Sequence, residues 1–329
     1  RLAPIEKSLA DDLNNLLEIL ADVLLEPVFP EAHIERVRSQ LLTGLDIRAQ
    51  DTSEMASMGF DQITFAGHPY ENPSDGFIET ITAIKAEDLV NFHKTHYGPM
   101  EMVIVIVGAV EPDKALSLVE EKFGGWTNPN QPAVIQVPDV KRLEKTIQKH
   151  HTIDEKSQTD IVLGVVGPPR KADDFYPALI GNNILGQFGM MGRIGKSVRK
   201  KAGLAYYAYS SLSSGIGPGS WTVSAGVDPK NVDLALQLIT EEIRIFVNDP
   251  VTSEELKDNQ SNFIGKWPLT LESNAGVAGA LLSIEHHQLG LDYFQRYENM
   301  VSAITPDEIL KAARGYLSPD RLAISTSGS

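Results

Sequence analysis

The chain contains an internal repeat. The stretch "ITAIKAEDLVNFHKTHYGPMEMVIVIVG" (81–108) aligns without a gap with "VSAITPDEILKAARGYLSPDRLAISTSG" (301–328), and Gly108 coincides with Gly328. Both copies have the pattern of a turn, a helix, a turn and a strand. Because self-similarity at a fixed spacing is typical of a repeated structural unit, the sequence predicts two copies of one α+β unit.

The repeat extends upstream of these two stretches. Residues 33–42 resemble residues 255–264 at nearly the same spacing. The second copy begins with a predicted strand near Ile147, and a constant spacing puts its counterpart in the first copy about 75 residues before Arg1. We therefore expect the first unit to be truncated at its N-terminus, with the remainder in a longer polypeptide.

Apolar residues at helical spacing predict a series of helices. Leucines recur every three or four residues between Leu13 and Leu24, and with Ser8 as a candidate N-cap they predict a helix over 9–25. The other predicted helices cover 31–49, 112–123 and 174–185. In the second copy, two Thr/Glu pairs have the spacing of a capping box. These pairs are Thr252 with Glu255 and Thr305 with Glu308.

Short β-branched runs predict the strands. "MVIVIVGAV" (102–110) is too short and too rich in valine and isoleucine for a long helix, so it is interpreted as a buried strand. Runs at 159–169 and 220–228 have the same character. Prolines and loop formers predict a linker at 126–145, between a first unit at 1–125 and a second unit at 146–329.

Composition excludes several classes of function. The formal net charge is −15, from 29 basic and 44 acidic residues, so the surface should repel phosphate backbones and nucleic acid is not an expected partner. The chain has no cysteine, which rules out disulfides, thiol catalysis and cysteine-based zinc sites. No apolar run approaches the ~20 residues needed to span a bilayer. The compartment is left open, with bacterial periplasm and cytoplasm both compatible.

Four passages carry a resemblance to a known family: "LLEILADVLLEPVFPEAHIERVRSQLL", "GHPYENPSDG" with "AEDLVNFHKTHYGP", "QTDIVLGVVGPPRKADDFYPALIGNNILG" and "RIGKSVRKKAGLAYYAYSS". In these passages and in their order, the sequence resembles the pitrilysin/insulinase family of zinc peptidases, in its processing-peptidase-like branch. The resemblance covers nearly the whole chain. It implies an α+β fold of two repeated units, each a mainly antiparallel sheet covered by helices, that enclose peptide substrates.

The resemblance also implies where zinc ligands should be found. Active members carry H-x-x-E-H on a helix, and a third ligand, a Glu, comes from a later helix. None of the eight histidines lies in such a motif, and Leu282 stands where "IEHH" would need the first ligand. In "IERVRSQLLTG", Val37 takes the position of a supporting Glu and Gly44 that of the ligand. We expect no metal in this chain and a Zn²⁺ ion in a catalytic partner.

The same resemblance assigns a role to "SVRKKAGLAYYAYSSL" (197–212). Family members have an Arg and a Tyr seven residues apart that hold the substrate peptide, and Arg199 and Tyr206 match these positions, although Ala202 replaces the usual basic residue. A guanidinium can grip peptide carbonyls and a phenol can donate to an oxyanion. The alternative without a functional role is that the basic cluster is a solvated helix face. Tyr207 and Tyr209 are predicted to be packing residues on a strand.

Other polar features are interpreted as structural. The histidines at 93, 96, 150, 151, 286 and 287 lack the carboxylates that would complete a metal site. The glycine-rich stretch at 185–195 lacks the Lys-Ser/Thr ending of a phosphate loop, so a nucleotide is not expected.

The sequence therefore predicts a non-catalytic subunit or half that binds peptide and completes the active chamber of a homologous zinc-bearing partner. One alternative is an active zinc endopeptidase whose H-x-x-E-H precedes Arg1, with a third ligand such as Asp46. A second is a structural subunit like the core proteins of the respiratory cytochrome complex, against which Arg199 and Tyr206 argue.

Overall fold

A computed structural model of the chain describes residues 6–133, 136–187 and 192–329. Its α-helices are α1 (Leu13–Leu25), α2 (Glu31–Ala49), α3 (Thr52–Thr64), α4 (Ile78–Ala83), α5 (Ala86–His96), α6 (Pro112–Phe123), α7 (Phe175–Asn182), α8 (Val232–Asn248), α9 (Ser253–Thr270), α10 (Asn274–His287), α11 (Tyr293–Ser302) and α12 (Pro306–Tyr316). Its strands are β1 (Ile147–Thr152), β2 (Thr159–Val166), β3 (Ala205–Leu212), β4 (Ser220–Val227) and β5 (Ala323–Gly328). These elements confirm the predicted α+β class.

Contacts divide the chain into two compact units, each built from separate stretches of sequence. Among the described residues, the first unit takes in those up to Leu42, Ile78–Gln136 and Lys266–Tyr293, and the second takes in Thr43–Phe77, Val137–Gly265 and Phe294–Ser329. Each unit draws on both copies of the repeat. The division of the sequence at a 126–145 linker stays a prediction about the repeat copies.

The second unit contains a five-stranded sheet with the strand order β1-β5-β2-β4-β3. Only the β1–β5 pair in it is parallel, and the other pairs are antiparallel. Every residue of the central strands β2 and β5 is buried. This explains why β2 has a continuous apolar run instead of an alternating pattern.

Helices cover both faces of this sheet. On one face α3 packs Ala56, Phe60 and Ile63 against Val162 and Ala323. The side chain of Trp221 points to the opposite face, since successive strand residues alternate, and its ring lies 6.5 Å from that of Phe246 in α8. In the first unit, α1 and α6 pack around a smaller cluster of Leu17, Ala21 and Phe123.

Hydrogen bonds at equivalent positions confirm the repeat. In the first copy the Arg38 guanidinium donates to the carbonyls of Ile81 and Ile84 at the end of α4. In the second copy the Gln260 amide, at the aligned position, donates to the aligned carbonyls of Val301 and Ile304, each at 3.0 Å. Two different side chains thus satisfy the same helix end in both copies.

The helix that follows is also capped alike in the two copies. The Lys85 amide donates to the Asp88 carboxylate at 2.8 Å, and the aligned Thr305 amide donates to the Glu308 carboxylate at 2.8 Å. The predicted capping box at Thr305 is therefore confirmed. The repeat's last aligned pair, Gly108 and Gly328, have φ angles of 159° and 158°.

Two predicted elements differ from the structure. Residues 102–107 have no regular secondary structure and form no ladder with any described residue, so the strand predicted at 102–110 is wrong. The predicted helix at 9–25 begins later: a 3₁₀ turn covers Ala10–Asp12 and α1 starts at Leu13. Ser8 does not cap it, because its hydroxyl donates to the Leu9 carbonyl at 3.0 Å.

A half-buried carboxyl on α3 makes stability depend on pH. Burial raises the pKa of Asp61 to about 6. Since the folded chain holds this proton more tightly than the unfolded chain, stability should fall as the pH rises from about 4 to about 6. We expect Asp61→Asn to increase the free energy of unfolding by about 1–2 kcal/mol at pH 7.5, discounted for partial exposure. Urea unfolding at several pH values measures this gain, which should vanish toward pH 4.

Exposed Asp258 on α9 provides the control for this prediction. Asp258→Asn should change stability by less than about 0.5 kcal/mol at every pH, as is usual for surface substitutions. A gain for Asp61→Asn that persisted at pH 4 would contradict the burial argument.

None of the helices in the described part of the chain is both long enough and apolar enough to cross a membrane.

Candidate functional site

Arg199 lies near the end of a π-helical segment, Gly195–Lys201, in the second unit. Buried Val198 anchors this segment, while Arg199 and the lysines beside it are exposed. The segment ends where Gly203 takes the left-handed conformation, with φ 66°, and its amide donates to the Arg199 carbonyl at 3.1 Å. Glycine suits this position because it adopts positive φ without a Cβ clash. The sequence thereby presents a guanidinium at an exposed turn.

Tyr206 lies on a β-bulge in β3, the strand that follows this turn. Ala205 pairs with Val227 and Tyr207 pairs with Gly226, so Tyr206 is an extra residue without a partner on β4. In a regular strand the side chain of Tyr206 would point to the same face of the sheet as that of buried Ala208, two residues later. The bulge turns it outward instead, and Tyr206 is 61% exposed. Bulges often redirect a side chain in this way beside functional sites.

Tyr207 is the next residue of β3, and a hydrogen bond to a buried carboxylate fixes its side chain. Its hydroxyl donates to Asp160 of β2, which is only 1% exposed and also accepts hydrogen bonds from Thr52 and Gln158. Burial, together with this hydrogen bond, raises the pKa of the Tyr207 phenol. Gly226 makes room for the contact, because a Cβ there would lie 2.6 Å from the Tyr207 ring.

The two tyrosines predicted to pack on a strand therefore differ. Tyr207 is half-buried and confirms that prediction. Tyr209 also lies on β3, with its ring centroid 5.7 Å from that of Tyr207, but it is 42% exposed.

An ion pair fixes the chain just before the π-helical segment. The Arg193 guanidinium donates from Nε and Nη2 to the two carboxylate oxygens of Glu255 on α9, at 2.9 and 2.8 Å. It also lies over the Phe246 ring, 5.5 Å from its centroid. The sequence analysis did not find this pair, since the partners are far apart in the chain. Its one available sign was the capping box at Glu255, which the structure confirms through the bond from the Thr252 amide.

Electrostatics at Glu255 follow from these contacts. Burial raises its pKa, but the hydrogen bonds from Arg193 and Thr252 outweigh burial and lower the pKa of Glu255 to about 2. The carboxylate also raises the pKa of Arg193. Both groups are therefore charged at any physiological pH.

Val37 and Gly44 both lie on α2, and both are exposed. Seven residues apart, they share one side of the helix. A Cβ added at Gly44 would meet nothing within 4 Å. The valine and glycine side chains offer no metal donor, and no group of three His, Asp or Glu side chains within the described ranges could hold a metal ion.

The contacts of two described histidines are structural. His93 hydrogen-bonds the Leu24 carbonyl at 2.8 Å, and its ring packs against Tyr97. His150 hydrogen-bonds the Thr326 hydroxyl of β5 at 2.8 Å. Of the glycine-rich stretch at 185–195, residues 188–191 lie outside the described residues.

Comparison with known proteins places this geometry in a family. The family model described as the peptidase M16 inactive domain matches residues 83–263, which is more than half of the chain. The chain belongs to this family. The matched region of the M16 inactive domain includes Arg199 and Tyr206 and excludes Val37 and Gly44.

Relatives of this M16 chain include proteins named as zinc proteases and one named as a non-peptidase homolog. It is 26% identical over 270 residues to an uncharacterized zinc protease of Mycobacterium leprae, covering 81% of this chain and 60% of that protein. It is 25% identical over 267 residues to the uncharacterized zinc protease YmxG of Bacillus subtilis, covering 81% and 64%. A Helicobacter pylori relative, 24% identical over 305 residues and covering 88% and 66%, is named non-peptidase homolog YmxG. The chain thus spans less than two thirds of the first two relatives.

A solved structure shows the same fold. The crystal structure of a peptidase M16 inactive domain from Pseudomonas fluorescens matches with a TM-score of 0.89 and 24% identity, over 98% of this chain and 76% of that one. This similarity confirms the fold of the M16 inactive domain predicted from the sequence.

Proposed function

We propose that the chain is the non-catalytic half or subunit of a zinc metalloendopeptidase, and that it binds the substrate peptide and completes the active chamber of a zinc-bearing partner. The observation that carries this proposal is the bulge in β3. It exposes the side chain of Tyr206 just after the chain turn at Gly203 that follows Arg199. A tyrosine serving the core alone would have remained in the regular alternation of the strand.

The chemistry of these two side chains suits a peptide. The guanidinium of Arg199 can donate two parallel hydrogen bonds to a carbonyl or carboxylate of the substrate. The phenol of Tyr206 can donate one hydrogen bond to the oxygen that becomes negative when water attacks a peptide carbonyl. Neither group activates water, so the chain supplies binding and charge stabilisation while the partner supplies the metal.

The lack of a metal donor at two positions of α2, Val37 and Gly44, supports the division of labour. A glycine at position 44, where the resemblance implies a ligand Glu, supplies neither an anionic donor nor the charge that balances Zn²⁺. A valine at position 37 lacks the carboxylate of the Glu that would support the ligand. Zinc, expected in the catalytic partner, would be held by that partner's residues.

The test is peptide turnover by the chain mixed with a zinc-bearing family member from the same organism. We expect Arg199→Ala and Tyr206→Phe each to reduce kcat/KM by about tenfold to a hundredfold, since each removes a donor to the transition state. Lys200→Ala and Tyr209→Phe are matched controls, because they alter exposed neighbours of the same types. Both controls should retain full turnover.

Two results would replace the proposal by its alternatives. Tightly bound zinc and peptide cleavage by the intact polypeptide alone would identify an active peptidase. Unchanged turnover in both Arg199→Ala and Tyr206→Phe would leave a structural subunit without a substrate role.

A further inference from the structure

Strand β1 forms one edge of the sheet, and its outer edge is open. It pairs with β5 on one side, and no other described residue pairs with it. All of its residues after Ile147 are exposed. An open edge presents unpaired amides and carbonyls that another chain can bond.

The register shows which backbone groups point outward. The amide of Ile147 donates to the Leu322 carbonyl at 3.0 Å, and the amide of Ile153 donates to the Gly328 carbonyl at 2.9 Å. In a parallel pair, alternate residues direct both their amide and their carbonyl to the same neighbour. Odd-numbered residues therefore bond β5, and the amides and carbonyls of Gln148, His150 and Thr152 face away from the sheet.

Positive charge is concentrated in β1 and in the residues just before it. Residues 141–151, "KRLEKTIQKHH", contain four cations, two histidines and one anion, in a chain with a net charge of −15. Arg142 is engaged by the Tyr316 ring, 5.0 Å away, and Lys141 lies 3.6 Å from Glu144. Exposed Lys145 and Lys149 form no ion pair with any described carboxylate.

We propose that the outer edge of β1 accepts an acidic, extended segment of a partner protein as an added strand. The outward amides and carbonyls alternate donors with acceptors, and only another peptide backbone matches both. Lys145 and Lys149 favour carboxylates on the incoming strand, while the acidic remainder of the surface repels them elsewhere. A second copy of β1 is disfavoured because it would bring like charges together.

A nucleic acid would use the same cations differently. Phosphates only accept hydrogen bonds, so they would leave the carbonyls of Gln148, His150 and Thr152 without partners. The two kinds of ligand can therefore be separated by removing a backbone donor and leaving the charges in place.

The first experiment measures charge dependence by fluorescence anisotropy. The probes are a labelled eight-residue peptide of alternating Glu and Thr, its Lys/Thr counterpart and a single-stranded DNA of equal charge. We expect the acidic peptide to bind at least about tenfold more tightly than the basic one at low salt, and more weakly as salt screens the charges. Lys149→Glu should weaken its binding about tenfold, whereas Lys257→Glu, an exposed change on α9, should not.

The second experiment compares His150→Pro with His150→Ala. Both lose the side-chain bond to Thr326, but only proline removes the outward amide, and proline is accepted at an edge position whose amide faces solvent. We expect His150→Pro to bind the acidic peptide about fivefold more weakly than His150→Ala, the value of one hydrogen bond. Circular dichroism and urea unfolding check the fold of both. A version of the peptide N-methylated at alternate residues makes the same test with the natural chain.

Three outcomes would overturn the proposal. One is that no acidic peptide binds. Another is that DNA binds as tightly as the acidic peptide and neither binding responds to Lys149→Glu. The third is that proline and N-methylation both leave the affinity unchanged, which would mean that charge alone holds the ligand.

Discussion

Replacing Glu255 with alanine is expected to lower the free energy of unfolding by about 3 kcal/mol. The substitution removes both oxygens that the Arg193 guanidinium binds, at 2.9 and 2.8 Å, and leaves a half-buried cation over the Phe246 ring. It also removes the acceptor of the Thr252 amide at the start of α9. Because both side chains retain some exposure, the expected loss is at the low end for a broken buried pair. Urea unfolding at pH 7 measures it.

The chain contains its own control. Glu308 forms the same capping box with Thr305 at the start of α12, as the bond of 2.8 Å from the Thr305 amide shows, and no described ion pair joins it to an arginine. Glu308→Ala should therefore cost only about 1 kcal/mol, the value of a cap. The difference between the two substitutions isolates the contribution of Arg193. Equal losses would show that the ion pair adds nothing.

The contribution of Glu255 to the free energy of unfolding depends on pH, and its pKa determines the direction of that dependence. The pKa of this carboxyl is about 2 in the folded chain, below its usual value of 4.5. A depressed carboxyl pKa stabilises the fold above the unfolded value, and the contribution is lost as the pH falls through the folded value. The stability gap between the natural chain and Glu255→Gln should thus be constant above pH 5 and shrink between pH 4.5 and 2.

Local signals in the sequence predicted much of the secondary structure. Apolar spacing gave α2 and α6 with the bounds that the structure shows, and the Thr305/Glu308 spacing identified the start of α12. The apolar run of β2 predicted a strand, and the structure shows every residue of that strand to be buried. Such signals succeed because a helix and its cap are determined by residues close together in the chain.

One of the two failures involves a relation between distant segments, and the other is local. Residues 102–107 have the β-branched composition of a strand, but a ladder requires a second segment, and none of the described residues supplies it. The delayed start of α1 has a local cause, since the Ser8 hydroxyl bonds the Leu9 carbonyl instead of capping the helix.

The candidate site shows the same limit. The resemblance to a family selected Arg199 and Tyr206, but nothing in the sequence predicted that Tyr206 is the extra residue of a bulge. The Arg193–Glu255 pair spans two elements, and only the fold brings them together.

Replacing Asp160 with alanine should have the largest effect near the bulge. Asp160 is 1% exposed and accepts hydrogen bonds from Tyr207, Thr52 and Gln158. Alanine would leave the half-buried hydroxyls of Tyr207 and Thr52 without this acceptor and open a cavity where Asp160 is fully buried, so we expect a loss of about 3 kcal/mol. Asp160→Asn retains one acceptor oxygen and should cost about half as much. Urea unfolding of both variants measures the losses.

A second tyrosine–aspartate pair in the same unit is the control. The Tyr316 hydroxyl donates to Asp174 at 2.9 Å, and burial with this hydrogen bond raises the pKa of Tyr316 to about 12. Asp174 is only half-buried, so water can replace the lost acceptor and Asp174→Ala should cost about 1 kcal/mol. Ultraviolet titration should show one phenol ionising at lower pH in each variant, since each keeps the other pair. A loss in Asp160→Ala no larger than in Asp174→Ala would contradict the importance of burial.

Asp160 also allows the geometry of the bulge to be separated from the stability of the fold. It lies on β2 and acts on β3 through Tyr207, the residue directly after Tyr206, so it is a positioning residue in the proposed function and not a group that touches substrate. Asp160→Asn should therefore raise the KM of the mixed complex for peptide while leaving the chain folded, because Tyr206 is less firmly aimed. In Tyr206→Phe the lost phenol cannot be misdirected, so adding Asp160→Asn should cause little further loss. Fully additive losses in this double-mutant cycle would mean that Asp160 stabilises the sheet without positioning Tyr206.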